Sequence, residues 1–488
     1  MVKSIKNFLE KEVSEIVDIY KEDISWSSVP LSEVLERDNR IEASTFNLDR
    51  AHSIQLLKNS KYDLVLLGSK EIGFKDCFYG PRAKRNYLTN IDNTSIGFLG
   101  SSEMLDIYPN PVKFVSHDNS MVDSLSLAEG TILISRSGTI GNVTFVSQTL
   151  SKFLVSEHAI RLIVNEFPGF VYTYLKTNVA QNLLHAEKFG SVILEIEPDA
   201  LKNMLIPNAP ALIKKKIHDL IMDSYANRDE SNRLIDEATK IMIEELELPP
   251  IDDLKKEAFS YSKEINSFST KLSDLDGRLE GSYHIPLIEV IERYINKKAI
   301  VKKLNSEDIT EKIILPGRFK RVYVEKGNGK VFLGGKEINQ LDPSGKKFLS
   351  IKHYSDKLIR DIAIEKNDVL VTRSGTVGRV MIAPEHWQNW ISSDHVIRIS
   401  SKESYHGLIF TWLSSEYGKE LMKRQIYGSV VDEITDKQLG DVVVPIFKED
   451  IINNSILYLI NKANELRYKA YKQEQKAVEI MNREVLCL

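Results

Sequence analysis

With 488 residues, 42% of them hydrophobic, the chain can build two or three cores at about 100–200 residues per domain. Its 65 basic and 69 acidic residues leave a formal net charge of -4, which excludes a protein that wraps nucleic acid by bulk positive charge, so any such binding must be local. No run approaches the roughly 20 apolar residues a bilayer demands, MVKSIKNFLEKEVSEIVDIYKED at the N-terminus has no apolar signal core, and Cys77 and Cys487 lack metal-ligand spacing; a cytoplasmic protein without zinc or membrane contact is expected.

A charged lead-in precedes RIEAS at Arg40. Short β-branched runs closed by Gly, Ser or Pro then predict strands: VLLGS, ILISRSG from Ile132, and VTFVS. Between the first two, PRAKRNY gathers Arg82, Lys84, Arg85 and Tyr87. On a strand, Arg82, Lys84 and Asn86 would share one face and Arg85 and Tyr87 the other, a cationic edge able to grip phosphates, although solvated surface charge has the same pattern. In RSGTIG a strand delivers Arg136 into a turn that two glycines, three apart, make tight. Amides and the hydroxyls of Ser137 and Thr139 could hold a phosphate there; a hairpin with a structural arginine is a compatible alternative. In SEHAIRL, His158 follows Glu157 in an apolar strand and fits a hydrogen-bonded structural role better than catalysis, since no serine or cysteine nucleophile motif accompanies it. A helix over Val171–Glu187 and the turn FGSVILEI, with Glu195, lead to Pro207.

Beyond that proline, Ile213, Ile217, Leu220, Ser224, Asn227, Ser231, Leu234, Ala238 and Ile241 step by four and three, the spacing of a coiled-coil seam. Pro249 and Pro250 stop this helix. The segment Ile251–Lys271 leads to RLEGS at Arg278, and from there the chain repeats itself. GRFKRVY carries Arg318, Lys320, Arg321 and Tyr323; FLGGKEI answers FLGSSEM; VLVTRSGTVG carries Arg373, Ser374 and Thr376; SDHVIRI carries Asp394 and His395. A helix over Tyr405–Gln425, YGSVVDEI with Glu433, and Pro445 complete the copy. Arg136 answers to Arg373, 237 positions on, and the other blocks keep nearly that shift. Ile452, Ile456, Leu459, Ala463, Leu466, Ala470, Gln473, Ala477 and Ile480 then repeat the seam.

A duplication of this kind fixes the architecture before any single element does. The expected organisation is a lead-in 1–37, a first domain 38–210, a spacer helix 211–248, a linker 249–275, a second domain 276–447 and a second spacer helix 448–488. The fold class is α+β: two repeated, mostly-β domains, each followed by a long helix. The matched helices are expected to pair through Ile217, Leu220, Leu234, Ile241, Ile456, Leu459, Leu466 and Ile480, although each could instead pack only on its own domain.

No G-x-x-x-x-G-K-[ST] loop is present: VFLGGKE lacks the first glycine and the terminal hydroxyl, and its twin FLGSSE has no lysine. A G-x-G-x-x-G behind a strand, an Asn-Pro-Pro-aromatic segment, H-E-x-x-H and a nuclease carboxylate cluster are missing as well. The chain reads as a binder, not an enzyme.

The duplicated [ILV]-x-[ST]-R-S-G-T-[IV]-G strand, the [ED]-H-x-I-R block, the aromatic-G-S-V turn, the proline and the long helix resemble the specificity (S) subunits of type I restriction-modification systems, over nearly the whole chain. The resemblance implies two target-recognition domains, each reading one half of a split double-stranded DNA sequence. It also implies an antiparallel coiled coil with pseudo-two-fold symmetry that sets half-site separation in DNA turns of ~34–36 Å. By the same resemblance, the partners are two methyltransferase (M) subunits, which carry S-adenosylmethionine and methylate adenine, and a motor-nuclease (R) subunit using ATP, so this chain itself binds no cofactor. Base readout is then expected within Phe46–Pro111 and Tyr283–Tyr354. Two other functions stay open: a specificity-like DNA-binding adaptor of another phage-defence or type II methyltransferase-nuclease system, and a standalone enzyme using Arg136, His158 and their twins on a phosphodiester.

Overall fold

The computed structural model describes residues 29, 31–36, 41–82, 85–89, 91, 94–190, 193–259, 268–275, 277–352, 354–428 and 431–488. In the first repeat the strands are β1 (Leu64–Leu66), β2 (Phe74–Tyr79), β3 (Ser95–Leu99), β4 (Lys113–Ser116), β5 (Ile132–Ser135), β6 (Val143–Phe145), β7 (Leu154–Val155), β8 (Ala159–Val164) and β9 (Leu205–Pro207). In the second they are β10 (Ala299–Lys303), β11 (Thr310–Ile314), β12 (Tyr323–Val324), β13 (Lys330–Leu333), β14 (Lys347–Leu349), β15 (Val369–Thr372), β16 (Val380–Ile382), β17 (Ile391–Ser392), β18 (Val396–Ser401) and β19 (Val443–Phe447).

The two repeats weave these strands alike. An antiparallel sheet of order β2-β8-β5-β6 answers one of order β11-β18-β15-β16. Ile132 faces Leu162 in one and Val369 faces Ile399 in the other, and both edge strands slip register at their first pair, between Phe74 and Asp76 and between Thr310 and Lys312. A second sheet, β4-β3-β7, answers β12-β14-β13-β17; in each, one parallel pairing (β3 with β7, β13 with β17) joins it to the strand before the histidine. The fold is therefore a duplicated α+β domain, as the repeat implied. β5 and β15 are buried on both faces, which suits their unbroken β-branched runs.

Two sequence expectations are corrected here. The basic segments do not form strands: residues 81–82, 85–89 and 317–322 are irregular, and the second joins a sheet only at Tyr323. Few of their backbone groups meet a neighbouring strand, although the Leu88 amide does donate to the Phe114 carbonyl at 2.9 Å. Each expected domain helix is two helices, Pro168–Leu175 with Asn178–Ala186, and His406–Ser414 with Glu416–Arg424. Thr177 and Ser415 interrupt them because each side chain caps the second helix, accepting from the Ala180 and Gly418 amides.

The long helices Ala211–Glu245 and Asp450–Ile480 pair antiparallel, the first spanning roughly 50 Å at 1.5 Å per residue. Their direction follows from the contacts: Ile217 and Ile221 share a core with Ala477 and Ile480, the Ser231 hydroxyl lies 3.4 Å from Arg467 Nε, and Ala238 shares a core with Ile460. Buried positions run Ile217, Ile221, Ser224, Ser231, Ile235, Ala238 and Met242, while Ile213, Leu220, Ile241 and Leu466 flank this line half-buried. The apolar stripe is wider than a two-helix seam because each helix must also cover the domains. Neither helix packs on its own domain alone. The first domain's core takes in Ile217 and Ile221 from one stalk helix and Ala477 and Ile480 from the other, and the second domain's core takes in Leu234 and Ala238 with Ile456 and Ile460. Gly169 and Gly407 let the domain helices approach: a Cβ at either would lie 2.9 Å from a stalk Cα, that of His218 or Leu457.

Candidate nucleic-acid interface

Three sequence motifs far apart in each repeat converge on one end of the domain. In the RSGTIG turn, Gly138 and Gly141 take φ of 77° and 84°, and in RSGTVG Gly375 and Gly378 take 75° and 82°, backbone that a side chain would strain. The turn carries Arg136 inward. Its guanidinium contacts Glu197 at 2.6 Å and Glu195 at 2.8 Å and stacks over Tyr79 at 4.2 Å, while its carbonyl accepts from the Ile196 amide. Burial works against the charge of Arg136, but the two carboxylates outweigh it and raise its pKa. Arg373 keeps one of these contacts in the second repeat, bonding Glu433 at 2.7 Å. The arginine of one motif thus anchors the glutamate of the aromatic-G-S-V block about 60 residues on. Both guanidiniums are taken up within the protein, which supports the structural alternative that the sequence left open.

Ser137 and His158 meet through Oγ and Nδ1 at 2.7 Å, and Ser374 and His395 repeat the contact at 2.7 Å. The histidines are hydrogen-bonded, in a turn before β8 and β18 rather than within the strand. Sequence reasoning missed the serine partner because it lies 21 residues away. Thr139 and Thr376 sit exposed at the turn tips, and their carbonyls accept the hydroxyls of Ser135 and Thr372, which tightens each loop.

The acidic residue before each histidine also has a partner. Arg85 bonds Glu157 and Arg321 bonds Asp394. Above these pairs an aromatic stack recurs. Arg85 lies over the Phe98 ring at 5.0 Å, Tyr87 meets Phe98 edge-on at 5.9 Å, and Lys113 covers Tyr87 at 5.3 Å. In the second repeat Arg321 lies over Phe332 at 5.2 Å, Tyr323 meets Phe332 at 6.0 Å, and Lys347 covers Tyr323 at 5.5 Å. Phe98, Phe332, Lys113 and Lys347 were not singled out from sequence. The signal was there, since both phenylalanines open the repeated FLG block and both lysines follow at the same interval.

Tyr87 and Tyr323 are 38% and 46% exposed, and Lys113, Lys347, Arg318 and Lys320 are exposed beside them. Arg82 is solvated too, with Glu195 3.7 Å away. Lys84 lies outside the described residues. The arrangement is a cationic rim around an aromatic, rigidly braced base, suited to a polyanion with planar groups. Among the expected pairing residues, Ile217, Leu234, Ile456, Leu459 and Ile480 are buried in the stalk, far in the chain from this rim.

A duplicated domain of this build, braced by a shared helical stalk, is a nucleic-acid-recognition architecture. The family model described as the type I restriction modification DNA specificity domain matches residues 109–239 and 286–467, each match running from a domain into its stalk helix. The chain belongs to that family: it is a DNA-specificity subunit of the type I restriction-modification kind. Similar solved chains include the S subunit of the type I restriction-modification system from M. genitalium, with 15% identity over 87% of this chain and 95% of that one, and TM-score 0.30. A chain from a structure of type I R-M complex assembly and conformational transition has 16% identity over 87% and 95%, with TM-score 0.27. The HsdS subunit from Thermoanaerobacter tengcongensis has 15% identity over 86% and 96%, with TM-score 0.25. No curated protein sequence matches the chain. Among the described residues, no helix is long and apolar enough to cross a membrane.

Proposed function

We propose that the chain reads a bipartite DNA target, one half with each domain, and directs methyltransferase and motor-nuclease subunits to it while supplying no reactive group itself. The observation that carries this reading is the recurrence, at matched positions, of the Arg–Phe–Tyr–Lys stack and its cationic rim on two domains tied to one antiparallel stalk. Exposed Arg82, Arg318 and Lys320 bind phosphates, Tyr87 and Tyr323 with Lys113 and Lys347 form the floor against DNA, and Arg136 and Arg373 hold that surface in shape. S-adenosylmethionine and ATP belong to the partner subunits, and adenine methylation is theirs.

The test is domain exchange. Replacing residues 40–207 with those of a relative, in cells carrying the partner subunits, should change one half of the methylated-adenine motif and leave the other intact. A change in both halves would refute independent reading. For the rim, Lys320→Ala should weaken DNA binding of the assembled complex and lower its salt slope by about one unit; an unchanged slope would show that lysine to be merely solvated.

A further inference from the structure

The stalk's pseudo-symmetry breaks at a buried charge. The two seams are offset by a constant 239 residues, so Arg228 corresponds to Arg467 and Glu474 to Ile235. In the domains, Tyr172 corresponds to Phe410 and Lys176 to Ser414. These residues line two equivalent cavities between stalk and domains.

In the first cavity, Glu474 bonds both Lys176 and Arg228 and accepts from the Tyr172 hydroxyl at 2.8 Å. That packing leaves about 30 Å3 of free space. In the second, the arginine is kept and everything that neutralised it is gone. Arg467 is 1% exposed, and its polar contacts are the Ser231 hydroxyl and the Asn232 side-chain Oδ1 at 3.4 Å and the Met381 sulfur at 3.3 Å. Among the described residues it has no carboxylate within ion-pairing distance. With Ser414 in place of a lysine and Ile235 in place of a glutamate, this cavity measures about 370 Å3, within the range of small-ligand sites. Ile235, Ile243, Met381 and Phe410 make much of its wall apolar, while Arg379 and Lys419 add positive charge and Asp236 and Glu416 negative. Asp236 already accepts from Tyr108, and Arg379 faces Asp106 at 3.7 Å.

We infer that this cavity binds a small carboxylate with an apolar remainder, its carboxylate meeting Arg467 where Glu474 meets Arg228 in the other half. A buried guanidinium that lacks a counter-charge recruits one, and a cavity with one cationic anchor and aliphatic walls selects an amphiphilic monoanion over a polar one. Its walls come from both domains and both stalk helices, so an occupant would tie the two DNA-reading domains together through a contact neither makes alone.

The experiment titrates the intact chain, in chloride-free buffer, with hexanoate and benzoate, and in parallel with hexanol and with chloride. Saturable binding by calorimetry and a raised unfolding midpoint are expected with the carboxylates and not with hexanol or chloride. Ile235→Glu installs the carboxylate of the other half. It should fold, show a raised midpoint without ligand, and bind hexanoate at least about 100-fold more weakly, the loss that a satisfied guanidinium predicts. Arg467→Met should abolish binding. Absence of saturable binding by either carboxylate, equal binding of hexanol or chloride, or undiminished binding to a folded Ile235→Glu chain would each overturn the inference.

Discussion

Replacing Glu474 by isoleucine gives the first stalk cavity the side chain that the second already has, and the structure fixes what this should cost. Glu474 is 1% exposed and is shared by two half-buried cations, Lys176 and Arg228, with the Tyr172 hydroxyl as a third partner. Burial alone would raise its carboxyl, but Lys176 and Arg228 outweigh that and hold it down at about 2. Glu474→Ile takes from both half-buried cations the carboxylate they share, leaving Asp342 as the remaining negative charge felt by Lys176; loss of one partner of a buried pair costs about 3–5 kcal/mol. Local opening of the stalk measures this directly. Amide exchange in 211–245 and 450–480 should accelerate by roughly two to three and a half orders of magnitude at one decade per 1.4 kcal/mol. Adding Lys176→Ser should recover part of the loss, because the second cavity shows that this fold houses one such arginine beside a serine. Because the folded carboxyl sits below its ordinary value of 4.5, the stabilisation is complete above that pH and fades as pH falls toward about 2. The gap between wild type and variant should narrow over that window. Acceleration below tenfold at neutral pH, or a double variant less protected than the single, would refute the reasoning.

Asp106 should produce the opposite pH trend. Burial pushes its carboxyl up to about 7 against the pull of Arg379 and Asn339, so between about pH 4 and 7 the folded chain holds a proton that the unfolded chain has released, and stability falls as pH rises. Asp106→Asn should flatten that slope in thermal midpoints taken from pH 5 to pH 8; an unaltered slope would assign it to another group. Gly407→Ala should cost about 1–3 kcal/mol in denaturant unfolding by forcing a domain helix off the stalk, and Gly169→Ala should do the same in the other half, whereas changes within error would mean the helices can shift freely.

Long-range order was legible in this sequence because it was written twice. The matched RSGT, E/D-H and aromatic-G-S-V blocks reappear as matched sheets with identical registers, and the four-three stepping from Ile213 marks the stalk. Partnerships between blocks were not legible. That Arg136 would turn onto Glu195 and Glu197, or Arg85 onto Glu157, depends on how distant segments fold back, and periodicity carries no such information. The basic segment was misread as a strand because alternation describes side chains, while strand formation needs a neighbour with free backbone groups. The stalk seam was read one residue too narrow for a related reason: its helices serve two domains as well as each other, so Ile221, Ile235 and Met242 are buried where a two-helix seam would leave them outside.

The duplication also separates scaffold from specificity. A side chain present at the same place in both domains cannot tell two different half-sites apart. On the proposed reading, the recurring exposed Tyr87 and Tyr323 with Lys113 and Lys347 would position DNA without choosing its sequence, while Arg136 and Arg373, Arg85 and Arg321, and Phe98 and Phe332 brace that surface from within. If each domain reads its own half-site, as proposed, choice rests on exposed residues that differ between the copies around the same rim. Near PRAKRNY and GRFKRVY, the exposed Asn86 stands where the second copy has half-buried Val322. An amide can bond a base edge and a valine cannot, so Asn86 is where a difference between the two half-sites can first be written. Asn86→Val should therefore relax the first half of the methylated motif while leaving overall affinity and its salt slope nearly unchanged. A uniform loss of binding to every sequence would instead make Asn86 part of the scaffold.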